Sequence, residues 1–185
     1  MSTAPVSALQ FTIAFHGPFH VGCSAQEGLD RRLDPEFLLP GSSLKGLMRA
    51  EARERLGINE ELVTATFGAP GGRPSPWWWS GAEFDNRPAL GRFARIRRTE
   101  AGVTDRGFLL MGESVWATTA RFVIEPVAPE ATAGQRRLLR AAAASVTALG
   151  GARQRGGGFV SITDAEGAAW SDDDLEALIA LGRSR

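Results

Sequence analysis

The stretch Leu39-Pro40-Gly41-Ser42-Ser43-Leu44-Lys45-Gly46 constrains this chain more than any other. A proline with a fixed φ, a glycine and two hydroxyl residues lead into Leu47-Met48-Arg49-Ala50-Glu51-Ala52-Arg53, a run of good helix formers. The spacing predicts a helix with Ser42 or Ser43 as N-cap, stopping near Gly57 as the first residue beyond it. Leu44, Leu47, Met48, Ala52 and Leu56 form its apolar stripe, while Lys45, Arg49 and Arg53 share another face. A helix start rich in NH and OH donors, with lysine in the first turn, suits a phosphate group. The lysine precedes the final glycine, whereas a Walker A loop needs Gly-Lys-Ser/Thr in that order, so the motif does not point to nucleotide hydrolysis. The plain alternative is a capped structural helix with a solvated charged face.

The rest of the chain supplies the elements around this helix. Leu9, Phe11, Ile13 and Phe15 alternate with Gln10, Thr12 and Ala14, the pattern of a half-buried strand. His16 to Phe37 is a long irregular stretch, and loops of that length are usually functional or disordered. Phe67 to Pro76 reads as a Gly/Pro loop, with Trp77-Trp78-Trp79 and Ala82 to Phe84 as a strand entry. Arg92 to Trp116 carries glycines at 102, 107 and 112 between short apolar pieces and reads as a protruding hairpin. Arg121 to Val127 is a second strand, and Gly157 to Thr163 a third. Between them Gln135 to Leu149 is a helix with Leu138, Leu139, Ala142, Val146 and Leu149 inward, closed by Gly150. A short last helix, about 172–181, has Ser171 as cap, Asp172 to Asp174 at its positive dipole end, and Leu175, Leu178 and Ile179 inward.

That order predicts an α+β fold, a ferredoxin-like (RRM-like) β-α-β-β-α-β core with an inserted thumb-like hairpin. The 185 residues are expected to form a single domain, residues 1–185, with its core at about 8–163. Lys+Arg and Asp+Glu both number 21, so the net charge is zero, which argues against a bulk electrostatic nucleic-acid binder and leaves local basic patches open. Cys23 is the one cysteine, so no internal disulfide can form. With no basic start or apolar segment in the first ten residues and no apolar run near the ~20 residues of a membrane span, a cytoplasmic address without membrane contact is expected. No Cys/His spacing fits zinc, and no Ser-His-Asp triad can be read off.

A second glycine-rich stretch, Gly150-Gly151-Ala152-Arg153-Gln154-Arg155-Gly156-Gly157-Gly158, joins the second long helix to the third strand. Its glycines permit close backbone approach to a ligand, and its two arginines offer fork-shaped donors to phosphate. Alone it reads sooner as a flexible connection with solvated arginines. Taken with Pro40 to Gly46, the ordered pair resembles the RAMP superfamily of CRISPR effector proteins, and within it the backbone subunit of type III interference complexes. Phe19-His20-Val21-Gly22 resembles the family's first glycine turn, and Thr66-Phe67-Gly68 the segment after its first helix. Arg98-Thr99, Gly102 to Arg106 and Glu113 to Trp116 resemble its thumb-like hairpin. Gly28-Leu29-Asp30 resembles the loop bearing the backbone subunit's catalytic aspartate, although Arg31-Arg32-Leu33-Asp34-Pro35 replaces the usual apolar stretch, so that Asp34 is the other candidate for the aligned acid.

The resemblance implies an RNA-binding role in which base pairing reads sequence and the protein holds the backbone. Ser42, Ser43, Lys45, Arg49, Arg153 and Arg155 would clamp guide-RNA phosphates with help from His20, for which a positioning role is the preferred reading over a catalytic one, as for His16. In the hairpin, Asp105, Arg106, Phe108 and Leu109 would meet RNA, with Phe108 to Met111 as wedge or as simple core. Asp30 would assist attack by the target's own 2′-hydroxyl, taking its proton or holding a divalent cation, Mg2+ by preference. Implied partners are guide RNA, target RNA, copies of the same chain and other RAMP subunits. The Trp77 to Trp79 run reads as core on one face and a subunit interface on the other. The competing readings are a guide-binding assembly subunit that does not cut, and a small ferredoxin-like protein for another phosphate ligand.

Overall fold

A computed structural model describes residues 6–23, 32–98, 104–151, 157–167 and 170–183, with 22–23, 32, 95–98, 104–110 and 182–183 described by their backbone alone. The main sheet contains β1 (Leu9–Phe15), β4 (Trp77–Trp79), β5 (Glu83–Phe84), β8 (Thr119–Pro126) and β9 (Val160–Asp164). Its order is β4-β8-β1-β9, with β5 also on β8, and every pairing is antiparallel. With α1 (Gly41–Ala50) between β1 and β4, and α3 (Ala133–Ser145) between β8 and β9, this is the ferredoxin-like order.

The alternation in β1 sets the layers. Leu9, Phe11, Ile13 and Phe15 are buried, and Ala120, Phe122 and Ile124 of β8 and Val160 and Ile162 of β9 share their face. Phe11 stacks on Phe122 at 5.0 Å between ring centres, and Leu44, Met48, Leu138, Leu139 and Ala142 from the helices close the core. The opposite face carries Gln10, Arg121, Glu125, Ser161 and Thr163, all exposed.

Helix α1 begins earlier than its hydroxyls suggest. Pro40, not Ser42 or Ser43, is the N-cap, its carbonyl accepting from the NH groups of Ser43 at 3.0 Å and Leu44 at 3.3 Å. The chain is pinned there because the Ala82 NH donates to Leu39 at 2.9 Å, and a Cβ at Gly41 would collide with the carbonyls of Trp79 and Ser80. A π-helical turn, Glu51–Arg55, extends α1, with the Leu56 NH on the Glu51 carbonyl at 3.0 Å, and Gly57 at φ 65° ends it as expected. Helix α2 (Glu60–Phe67) follows, capped by the Asn59 side chain on the Leu62 NH at 2.8 Å.

Helix α3 starts with a Thr132/Gln135 capping box and ends at Ser145 rather than running to Leu149. The last residues of that stretch are drawn into extended backbone: Leu149 donates to Gly158 at 2.9 Å, and Val160 to Thr147 at 3.0 Å. Helix α4 (Asp172–Arg183) leans on α3 through Arg137 and Asp174 at 3.0 Å. Only Leu178 of its three expected inward residues packs on the core; Leu175 and Ile179 are exposed.

The hairpin pairs β6 (Ala89–Arg98) with β7 (Thr104–Trp116), a sheet of its own. A short pair, β2 (Gly22–Cys23) with β3 (Arg32–Leu33), lies against β7. Among the described residues no helix is long and apolar enough to cross a membrane.

Candidate nucleic-acid interface

The start of α1 forms one wall of a cleft of about 330 Å³, and the loop after α2 forms the other. Ser42, Lys45 and Arg49 face Gly68, Arg73 and Ser75 across it. Gly68 sits at φ 77°, and a Cβ there would press on the backbone of Arg73 and Ser75, so the loop folds tightly against the helix end. Helix geometry leaves the NH groups of Gly41 and Ser42 without intrahelical acceptors. Ser42 is exposed and Ser43 half-buried, and neither caps the helix.

The electrostatics of this cleft are positive. The Lys45 ammonium lies 5.2 Å from the centre of the Trp79 ring, which is stacked on Phe67. Burial, and then the nearby Arg49, hold the Lys45 pKa below the ordinary lysine value. Arg49 meets Glu60 at 3.3 Å and Arg73 meets Glu130 at 2.8 Å, both carboxylates being half exposed. Such pairs are weak and exchangeable, so a phosphate can take over either guanidinium. Arg73 was not singled out by the sequence; an arginine in a Gly/Pro loop that returns to a helix start is its only signal.

The second cluster centres on His20. Its carbonyl accepts the Gly151 NH at 2.8 Å, and the Gly158 NH donates to Pro18 at 2.9 Å, so both ends of the glycine-arginine stretch are fastened to the loop after β1. Gly150 at φ 77° and Gly158 at φ 75° have no room for a Cβ, the first against the His20 carbonyl and the second against that of Leu149. Phe19 and Val115 exchange NH···O bonds at 3.0 and 2.8 Å, joining that loop to the hairpin base. The His20 ring is buried, with Nδ1 2.6 Å from the Glu113 carbonyl and Phe93 edge-on. A carbonyl only accepts, so Nδ1 carries the proton. The Glu113 carboxylate accepts the Leu33 NH at 3.1 Å, which ties β3 to the same point. Nothing in the sequence marks Glu113 for this duty. The structure therefore places His20 inside a junction of three segments, rather than on a phosphate-facing surface.

The two clusters stand apart, one at the β4–β5 edge and one at the end of β1, with the segment from Leu33 to Leu39 running between them. Asp30, Arg153 and Arg155 lie outside the described residues. Asp34 is occupied in a turn: its carboxylate accepts the Glu36 NH at 3.0 Å and its carbonyl the Phe37 NH at 3.2 Å. The His16 Nε2 meets the Ser161 hydroxyl at 2.7 Å. Asp105, Arg106, Phe108 and Leu109 lie on β7, where Leu109 pairs with Ile96. Trp77 and Trp79 point into the core, with the Trp77 indole Nε1–H donating to Gln135 Oε1 at 3.1 Å, and Trp78 points outward, 51% exposed. Among the described residues no group of three or more His, Cys, Asp or Glu comes together to hold a metal.

A family model, described as the RAMP superfamily, matches residues 12–161. No curated relative matches the sequence. The fold is similar to a chain of a type III-B Cmr-beta complex bound to cognate target RNA, with a TM-score of 0.68, 14% identity, and coverage of 87% of this chain and 98% of that one. It is also similar to a chain of the same kind of complex in its apo state, with a TM-score of 0.65, 13% identity, and coverage of 86% and 98%.

Proposed function

Because the chain belongs to the RAMP superfamily, we propose that it is a guide-RNA-binding backbone subunit of a type III CRISPR effector complex. In that role it stacks with copies of itself and with other RAMP subunits in the cytoplasm, along a guide RNA that pairs with target RNA. The observation that carries the reading is the fastening of the glycine-arginine stretch to His20 at the base of the hairpin. It puts a glycine-rich backbone, the loop after β1 and a projecting β-ribbon at one place, as a protein that holds an RNA backbone and separates its paired segments requires. The fold's likeness to chains of type III-B complexes supports the same reading. Lys45, Arg49 and the α1 start contribute phosphate contacts at the sheet edge, and Arg153 and Arg155 contribute further ones.

Target cleavage is the finer part of the proposal. The 2′-hydroxyl next to the scissile phosphate attacks phosphorus, the new 2′-O–P bond forms as the P–O5′ bond breaks, and cyclic phosphate and 5′-hydroxyl ends result. Asp30 takes the 2′-hydroxyl proton, and the departing 5′-oxygen takes a proton from water. The hydrogen bond from the Glu36 NH to the Asp34 carboxylate favours Asp30 over Asp34 as the acid. A lone carboxylate with phosphate and water oxygens is a donor set that Mg2+ accepts, and the ion would supply neutralising charge at the phosphate. The test is reconstitution with a guide RNA and a complementary target: Asp30→Ala should abolish cutting and leave guide binding intact. Unchanged cutting would leave the non-cutting assembly subunit as the reading. Absence of co-purifying RNA of uniform length from the assembled complex would overturn the RNA-binding role itself.

A further inference from the structure

The outer face of α4 is apolar and acidic at once. Asp174 and Leu178 turn toward the body of the molecule, Asp174 pairing with Arg137 of α3 at 3.0 Å and Leu178 packing on the core. Asp172, Leu175, Glu176 and Ile179, spaced i, i+3, i+4 and i+7, share another face, and all four are exposed. Leu175 and Ile179, 45% and 52% exposed, form one ridge, and Asp172 and Glu176 form a second ridge beside it. Two large aliphatic side chains at i and i+4 on a solvent face are the anchors by which one helix docks along another. This helix also lies beyond residues 12–161, the stretch that the family model matches.

Charge selects the occupant. Residues 156–182 hold six acids and no lysine or arginine, in a chain whose net charge is zero. Asp164, Glu166 and Asp174 are paired with Arg140, Arg136 and Arg137, whereas the carboxylates of Asp172, Asp173 and Glu176 have no partner among the described residues. The helix dipole favours acids in the first turn, but Glu176 stands in the second, four residues after Asp172, where like charges weaken an isolated helix. A cationic partner turns that repulsion into attraction. The same acids repel an RNA backbone, an anionic membrane and this same face on a second copy. Among the described residues no other helix exposes a large apolar side chain, since Phe37, Trp78, Leu90, Trp116, Val127 and Phe159 stand on strands or loops. A second copy therefore brings no matching helix, and the occupant is a different protein.

We propose that the Leu175–Ile179 face of α4 is a docking surface for a basic amphipathic helix of another protein, its apolar residues on that ridge and its lysines or arginines against Asp172 and Glu176. The inference goes beyond the RNA-binding reading and does not rest on it. The probe is a designed helical peptide of about three heptads with leucine at a and d and lysine at e and g, whose own charges keep it from pairing with itself. A glutamate version and a version with serine in place of leucine are the controls. The full chain should bind the lysine peptide in preference to both. Leu175→Ser with Ile179→Ser should weaken that binding by about 10- to 100-fold and leave the melting temperature unaltered, since neither side chain belongs to the core. Glu176→Lys should shift the preference toward the glutamate peptide. Equal binding of the lysine and glutamate peptides to wild type overturns the proposal, as does wild-type affinity in the double serine variant, which would reduce the contact to charge alone. A wild-type oligomer that the double variant dissociates would make the face a contact between copies, and a loss of RNA affinity in that variant would make it an RNA contact; either overturns the proposal. RNA affinity should be the same in wild type and variants, so failure of this surface and failure of the RNA reading are separate results.

Discussion

The carbonyl of His20 accepts the NH of Gly151 at 2.8 Å, so the loop after the first strand and the glycine-arginine stretch more than a hundred residues later share one hydrogen bond. The contact is possible because Gly150, next in line, lies in the left-handed region with its α-carbon against that same carbonyl.

Gly150→Ala is therefore expected to be among the costliest small substitutions in the chain. It adds a φ penalty of ~1–2 kcal/mol and a collision with backbone that cannot step aside. A loss of about 2 kcal/mol or more should lower the melting temperature by roughly 4–8 °C for a chain of this size. Gly71→Ala is the control: its φ is 66°, but nothing lies within 4 Å of the added methyl, so only the conformational part should appear. Equal melting shifts for the two variants would contradict the close approach at Gly150.

His20 should behave as a positioning residue. His20→Ala leaves the Glu113 carbonyl without this donor in a nearly buried site, a loss of ~1–3 kcal/mol by thermal unfolding. His20→Asn keeps an NH donor at a similar reach and should recover part of the stability. If instead His20→Ala leaves stability unaltered and weakens RNA binding alone, the ring contacts RNA directly and the junction is secondary.

Lys45 supplies a prediction in pH. Its folded-state pKa is held below the ordinary lysine value, first by burial and then by Arg49, so its ammonium loses its proton earlier than an exposed lysine would. Binding of phosphate to this cleft should thus begin to weaken below pH 10.5 as the solution is made alkaline. Folding has the opposite sign. The unfolded chain holds this proton more tightly, so stability rises with pH between the folded and unfolded values. Lys45→Gln should abolish the alkaline loss of RNA affinity and reduce the salt slope of binding by about 0.7 if Lys45 neutralises one phosphate of a single strand. An unaltered slope would remove Lys45 from the interface.

Much of this architecture was written in local pattern. The alternation of Leu9 to Phe15 gives β1 its face, and the order of elements gives the ferredoxin-like sheet, because each follows from short-range periodicity and turn residues. Helix α2 also carries a local signal, Asn59 ahead of two glutamates. What the sequence did not disclose depends on distant contacts. Pro40 displaces the serines as N-cap because Ala82 and Trp79 hold the chain there, and α3 stops early because Leu149 pairs with Gly158. At the candidate site, the ordered pair of glycine-rich stretches was visible, but the roles of His20, Glu113 and Arg73 exist only once the hairpin and the loops have met.

The ion pair of Arg140 and Asp164 gives the last prediction. The two groups meet at 2.6 Å, their side chains are only 8% and 12% exposed, and the guanidinium also lies over the Trp170 ring at 4.9 Å. Arg140 projects from α3 onto the end of β9, so the pair joins the second long helix to the edge strand on the far side from the cleft. Removing one partner strands the other charge in a poorly hydrated site, and Arg140→Ala or Asp164→Ala should each cost about 3–5 kcal/mol. Removing both with residues of similar volume, as in Arg140→Met with Asp164→Leu, should restore most of the stability, because the desolvation cost disappears along with the attraction. Asp164 also accepts the Glu166 NH at 3.0 Å, so the double variant should still lose the worth of one hydrogen bond, ~1 kcal/mol. Denaturant unfolding of the three variants measures the coupling. Single losses below about 1 kcal/mol would show that the pair behaves as a solvated surface bridge, whereas a double variant less stable than either single one would show that the pair contributes net stability of its own.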